Sequence, residues 1–162
     1  MRRKIDVYLG LGSNLGDREM NLLRAVNLLD KELGVPAQKI SRLMEFPAQG
    51  FDGPDFMNMC VLYKLPEETD PMDVLKALKR VEAALGRTDA PEYGPDGERV
   101  YHDRTVDVDI LFFGTEKIEK EGITIPHPKI VERDFVKVPL KEIASAKLKE
   151  AYPEIFTKFA NN

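Results

Sequence analysis

The sequence predicts an α+β domain whose largely antiparallel sheet is covered by helices. Apolar runs of strand length and segments with helical periodicity share the chain without regular β-α alternation, which argues against a doubly wound parallel sheet. Two helical segments carry capping signals at both ends, so their limits do not depend on periodicity alone. The 162 residues suit a single domain, 1–162, with one core of its own.

The elements follow in order. Val7 to Leu11 reads as a buried strand, and Gly12-Ser13-Asn14-Leu15-Gly16 as the turn after it. A helix starts behind Asp17 as its N-cap, shows Leu22, Leu23, Val26, Leu29 and Leu33 at helical spacing, and ends at Gly34. Ile40 to Phe46 is expected as a second strand, Pro47 to Asp55 as a loop, and Phe56 to Tyr63 as a third strand. The next helix is capped by Asp70, has Pro71 at its first position and Gly86 at its exit, and turns Met72, Leu75, Leu78, Val81 and Leu85 inward. Thr88 to Asp103, with Pro91, Gly94, Pro95 and Gly97, reads as a long mobile loop of the kind compact domains keep for function. A strand from Thr105 to Phe113 follows.

Composition narrows the function. A hydrophobic share of 43% against 32% charged residues describes a soluble globular chain, neither disordered nor embedded in a membrane. The basic start, Met1 to Lys4, is interrupted by Asp6, and the apolar stretch behind it is shorter than a signal h-region. The expected location is the cytoplasm and the expected state a monomer. A net charge of −4 argues against a general nucleic-acid binder while permitting a local basic pocket for a polyphosphate. The single cysteine, Cys60, excludes an intramolecular disulfide and a thiolate zinc cluster, and its apolar neighbours suit a core position.

The chemistry concentrates in Arg104-Thr105-Val106-Asp107-Val108-Asp109-Ile110-Leu111-Phe112. On a strand, Val106, Val108, Ile110 and Phe112 share one face, assigned to the core, and Asp107 and Asp109 share the other, about 7 Å apart. Two carboxylates at that spacing suit magnesium, which takes one or two carboxylates plus substrate phosphates. An amphipathic strand that points two aspartates at water has the same pattern, although Asp is disfavoured in strands. Arg80, Arg87, Arg99 and Arg104 cluster around the loop of an otherwise acidic protein, as phosphoryl transfer requires. Balancing Asp89, Glu92, Asp96 and Glu98 on a solvated surface would also account for several of them.

Other motifs say less. Gly10 to Gly16 is not a phosphate-binding P-loop, since no Gly-Lys-Ser/Thr follows, and its third glycine falls one place late for a dinucleotide fingerprint. A tight turn is its expected role, with Asn14 near the site. Ile125-Pro126-His127-Pro128 holds a histidine rigidly, as either a structural group or a ligand contact, and His102 is a weaker candidate. Phe51, Phe56 and Phe135 fit the core equally well as a slot for a flat heterocycle.

Together these segments resemble the 6-hydroxymethyl-7,8-dihydropterin pyrophosphokinase family as far as about Ala144. The resemblance runs through Leu11–Asp17, Pro54–Asn58, Val81-Glu82 with Leu85-Gly86-Arg87, Arg104–Leu111, Ile125–Pro128, Glu132–Phe135 and Pro139–Ala144. It implies a ferredoxin-like fold with mobile loops around the site, and transfer of diphosphate from ATP to the pterin hydroxymethyl group with release of AMP. It further implies two magnesium ions on Asp107 and Asp109, with Asp107 also assisting deprotonation. Asn58, Phe56 and Phe135 match the pterin contacts. Lys79, Glu82, Arg87, Arg104, Ile110, His127 and Arg133 match positions at the nucleotide, with Arg87 and Arg104 reaching the triphosphate. The chain departs from the family at Asp89, where a second arginine is usual, at Tyr101-His102-Asp103, and at Lys79, which is often Gln. Arg99 is a candidate for the displaced arginine. A nucleotidyltransferase or phosphohydrolase would also want paired aspartates and arginines, but would not predict the aromatic slot beside Asn58. An RNA-contacting module is disfavoured by the acidic balance.

Overall fold

A computed structural model describes residues 3–48, 53–86, 92–93, 95, 99–100, 105–120 and 122–160, with 92–93, 99–100 and 157–160 as backbone only. The chain runs β1 (Lys4–Ser13), α1 (Arg18–Leu33), β2 (Lys39–Ile40), β3 (Met44–Phe46), β4 (Phe56–Pro66), α2 (Pro71–Ala84), β5 (Glu92–Tyr93), β6 (Arg99–Val100), β7 (Asp107–Phe113), β8 (Ile118–Lys120), β9 (Ile123–Ile125), α3 (Asp134–Ile143), α4 (Ala146–Ala151) and α5 (Pro153–Ala160). The main sheet has the order β2-β4-β1-β7, with β3 also on β4, and each of these pairings is antiparallel.

Both predicted helices are punctuated as expected. The Asp17 side chain accepts the Met20 N–H at the start of α1, and Gly34 closes it at φ 76°. Asp70 accepts the Met72 N–H ahead of Pro71, and Gly86 follows α2 at φ 98°. Such caps satisfy backbone groups that a helix end otherwise leaves orphaned.

Four expectations are corrected. Gly12 and Ser13 continue β1 and are not the turn. The second strand is split into β2 and β3, because Ser41 turns its hydroxyl onto the Cys60 N–H in place of regular pairing. Glu92–Tyr93 and Arg99–Val100, expected within a loop, pair as an antiparallel ladder. Phe112 also leaves the face it was expected to share with Ile110. Leu9 pairs with Ile110 but Tyr8 pairs with Phe112, so Leu111 is a bulged extra residue that flips the alternation behind it.

The sheet divides the core in two, and the bulge puts Leu111 and Phe112 on the same side of it. Under α1 and α2 lie Val7, Leu9, Leu11, Met59, Val61, Val106, Val108, Ile110 and Phe113. The opposite face carries Tyr8, Cys60, Leu62, Leu111 and Phe112 against residues of α3, α4 and α5. Among the described residues no helix is long and apolar enough to cross a membrane.

Candidate active site

Residues directly opposite one another in a ladder share a face. Gly12 lies opposite Asn58 on β4 and Asp107 on β7, and Met44 of β3 lies opposite Asn58. One row across four strands therefore reads Met44, Asn58, Gly12, Asp107. The next row on that face reads Cys60, Gly10, Asp109. With strands about 4.8 Å apart, Asn58 and Asp107 stand roughly 10 Å apart across a glycine floor. A Cβ at Gly12 would sit 2.6 Å from Asn58 Nδ2, so only glycine leaves this trough open. Sequence reading gave these glycines to a turn. Their signal was a Gly-x-Gly alternation on a strand, where glycine is otherwise disfavoured.

At one side of the trough, Asn58 is 6% exposed. Its Nδ2 donates to the Leu11 carbonyl at 3.4 Å, while Oδ1 has no hydrogen-bond partner among the described residues. A buried acceptor left unsatisfied costs about 1–3 kcal/mol, so a donor from a ligand is its natural complement. Aromatic rings gather beside it. Phe46 lies opposite Phe56 in the β3–β4 ladder, and its ring meets Phe135 at 6.5 Å and 60°. The Arg133 guanidinium lies 5.5 Å from the Phe135 ring centroid. Phe46 was missed from sequence because its strand pairing, not its own neighbours, brings it here.

The start of α1 braces the chain entering β4. Buried Asn14 donates to the Pro54 carbonyl at 3.2 Å. Arg18 donates to the Asp55 carbonyl at 2.8 Å and pairs with Glu45.

At the other side, Asp107 and Asp109 are half-buried on the trough face of β7. Among the described residues no group of three or more His, Cys, Asp or Glu gathers. A two-carboxylate set nevertheless fits magnesium, whose remaining positions go to water and substrate phosphate. His127 joins this end through its backbone N–H, which donates to the carbonyl of the bulged Leu111 at 3.1 Å. Burial pushes the His127 pKa down, Arg133 and Lys129 push it the same way, and Asp107 opposes them. Its Nδ1 accepts the Lys129 N–H at 3.2 Å, which places the proton of the neutral ring on Nε2.

The remaining predicted residues divide. Glu82 is buried on α2, and its Oε2 accepts the Val108 N–H at 2.9 Å. Lys79 is exposed one turn earlier. The Ile110 side chain lies in the core beneath α1 and α2, on the face opposite the two aspartates. Arg87, Arg104, Phe51, His102 and Asp89 lie outside the described residues, as does the side chain of Arg99.

Fold and site together define an α+β protein with a glycine-floored trough between a buried amide with aromatic neighbours and a carboxylate pair. Residues 8–145 match the model of the 7,8-dihydro-6-hydroxymethylpterin-pyrophosphokinase family. The 2-amino-4-hydroxy-6-hydroxymethyldihydropteridine pyrophosphokinase of Bacillus subtilis is 40% identical over 145 residues, covering 89% of this chain and 81% of that protein. Its namesake in Porphyromonas gingivalis is 39% identical over 140 residues, covering 85% and 90%. A solved HPPK-DHPS variant of Plasmodium falciparum shares the fold, with a TM-score of 0.58 and 13% identity over 99% of this chain, which spans 44% of that longer one. The chain belongs to the 7,8-dihydro-6-hydroxymethylpterin-pyrophosphokinase family. It is a diphosphotransferase of folate biosynthesis with ATP as co-substrate.

Proposed function

We propose that the trough is where the diphosphoryl group passes from ATP to the hydroxymethyl group of 6-hydroxymethyl-7,8-dihydropterin, with the pterin on the Asn58 side and the triphosphate on the aspartate side. The observation that carries this reading is the buried, unpartnered Oδ1 of Asn58. The amino and ring N–H groups of a pterin are the donors it lacks, and Phe56 and Phe135 supply faces for the bicyclic ring. In the reaction the pterin hydroxyl oxygen bonds to the β-phosphorus as the bond from that phosphorus to the α,β-bridging oxygen breaks, and AMP leaves with that oxygen. Asp107 would assist by receiving the hydroxyl proton.

Asp107 and Asp109 would hold two magnesium ions, which when bound neutralise charge on the triphosphate and on the forming and leaving oxygens. His127, with its Nε2 proton, and Arg133 would donate to phosphate oxygens. Arg87 and Arg104 are assigned to the triphosphate by the family resemblance, and Lys79 and Glu82 to the border of the nucleotide pocket, while Ile110, its side chain in the core, is left only its backbone for that role. The β1-α1-β2/β3-β4-α2-β7 succession, with its central β4-β1-β7 order, supports a ferredoxin-like description. A cytoplasmic monomer completes the reading.

Purified protein incubated with ATP, magnesium and 6-hydroxymethyl-7,8-dihydropterin is the direct test. Pterin-dependent AMP that disappears with EDTA is expected. ADP, or AMP formed without pterin, would refute the assignment.

A further inference from the structure

An edge strand normally presents unpaired N–H groups to solvent or to a covering element. β7 is such an edge, with β1 on its one paired side in the main sheet. Val108 lies between the two aspartates and turns its side chain into the core beneath α1 and α2. Its N–H points away from β1, toward α2, where the Glu82 carboxylate accepts it at 2.9 Å. Glu82 is itself 4% exposed, a depth at which carboxylates are rare unless hydrogen-bonded. Hence the same backbone that displays Asp107 and Asp109 on the trough face is held from behind by one buried acceptor.

We propose that Glu82 is a positioning residue for the carboxylate pair: by fixing the Val108 amide it sets the placement of Asp107 and Asp109 toward a divalent cation. The proposal rests on the metal-binding reading of those two residues. Two half-buried carboxylates repel each other before a cation arrives, and an edge strand with a free central amide could twist to part them. With Val108 anchored, the strand keeps the register in which Gly12 faces Asp107 and Gly10 faces Asp109. Groups one shell behind metal ligands are commonly worth about 10–100-fold in metal affinity.

The test is Mn2+ affinity of the nucleotide-free protein measured by electron paramagnetic resonance, so that a nucleotide contact of Glu82 does not enter, with amide exchange at Val108 followed by NMR. Glu82→Leu, similar in size but unable to accept, is expected to speed Val108 exchange and weaken Mn2+ binding about tenfold or more. Glu82→Gln keeps an acceptor oxygen and is expected to protect Val108 and stay within about threefold of the parent. Equal loss of affinity in both variants, with Val108 still protected in Glu82→Gln, would overturn the proposal, as would parent-like affinity in Glu82→Leu with Val108 exchanging freely. If Glu82→Leu does not fold, Glu82→Gln decides alone. Parent-like affinity with Val108 protected supports the positioning role, and weakened Mn2+ binding with Val108 still protected refutes it. Asp107→Asn and Asp109→Asn separate the two levels. Parent-like Mn2+ binding in both would show that the metal assignment has failed, whatever Glu82 does.

Discussion

The two faces of the main sheet are built from the same strands and do opposite things. The face under α1 and α2 is apolar along its length, from Val7 and Tyr63 to Leu11, Met59 and Val108. The other face is apolar only where α3, α4 and α5 cover it, around Tyr8, Leu62 and Phe112. Towards Gly12 it changes to Asn58, Gly10, Asp107 and Asp109. Burial on the first face stabilises the fold, by about 25 cal/mol for each Å² of apolar surface removed from water. On the second face, a buried amide oxygen with no hydrogen-bond partner among the described residues costs stability, which suits a surface shaped for a ligand. Function and stability should therefore be separable by substituting residues that are sequence neighbours but face opposite ways.

The largest expected effect is on chemistry. Asp107→Asn or Asp109→Asn should lower kcat on the order of 10³-fold, since metal-centred charge stabilisation is worth several kcal/mol. The melting temperature should hardly fall, and a large drop in calorimetry would mean that the aspartates belong to the fold. Next comes the converse. Leu9 is fully buried on the apolar face, and Leu9→Ala should cost about 2–5 kcal/mol in denaturant unfolding. Turnover per folded molecule should be preserved; a matching loss of kcat would show that the faces are coupled.

A smaller effect tests the trough itself. Gly12→Ala places a methyl group 2.6 Å from Asn58 Nδ2 and must displace that amide. Pterin affinity, measured by calorimetry, should weaken about tenfold, the worth of one hydrogen bond with a buried partner. Stability should fall as well, because the added methyl overlaps a buried side chain and the displaced Asn58 amide loses its bond to the Leu11 carbonyl. Unchanged pterin affinity would remove Asn58 from the binding site.

The residues differ in how far sequence alone reveals them. Helices α1 and α2 were legible because capping and periodicity are local, and Asp17, Gly34, Asp70 and Pro71 act within a turn of where they stand. The aspartate pair was legible because alternation on one strand puts both carboxylates on one face. Phe112 was misplaced because a bulge is negotiated between two strands, and no pattern within β7 announces that Leu111 has nothing opposite it. Gly12 and Phe46 were missed for a related reason, since their meaning comes from Asn58, Asp107, Phe56 and Phe135 across strands and a helix. Buried Glu82 looks on sequence like any charge on an amphipathic helix, until Val108 is found against it. The three C-terminal helices gave weak local signals, with Pro139 inside α3 and only 6 residues in α4.

The smallest effect bears on where the carboxylate end meets its surroundings. Burial lowers the His127 pKa below its ordinary value near 6.5, and Arg133 and Lys129 add to that against the opposing pull of Asp107. The folded state thus favours the neutral ring more than the unfolded chain does. As pH falls through the unfolded value, the unfolded chain takes up the proton first, so this group's contribution is complete above about 6.5 and lost progressively below it. In metal-free protein, the His127 imidazole followed by NMR should titrate below 6.5. Arg133→Ala should raise its midpoint by removing a positive neighbour, and Asp107→Asn should lower it by removing a negative one. Opposite signs from two substitutions cannot both arise from a general loosening of the fold, which would move the midpoint toward its solvent value each time. Shifts of the same sign would mean that His127 does not face Asp107, and that the Leu111 bulge secures the Pro-His-Pro segment without bringing its ring to the carboxylates.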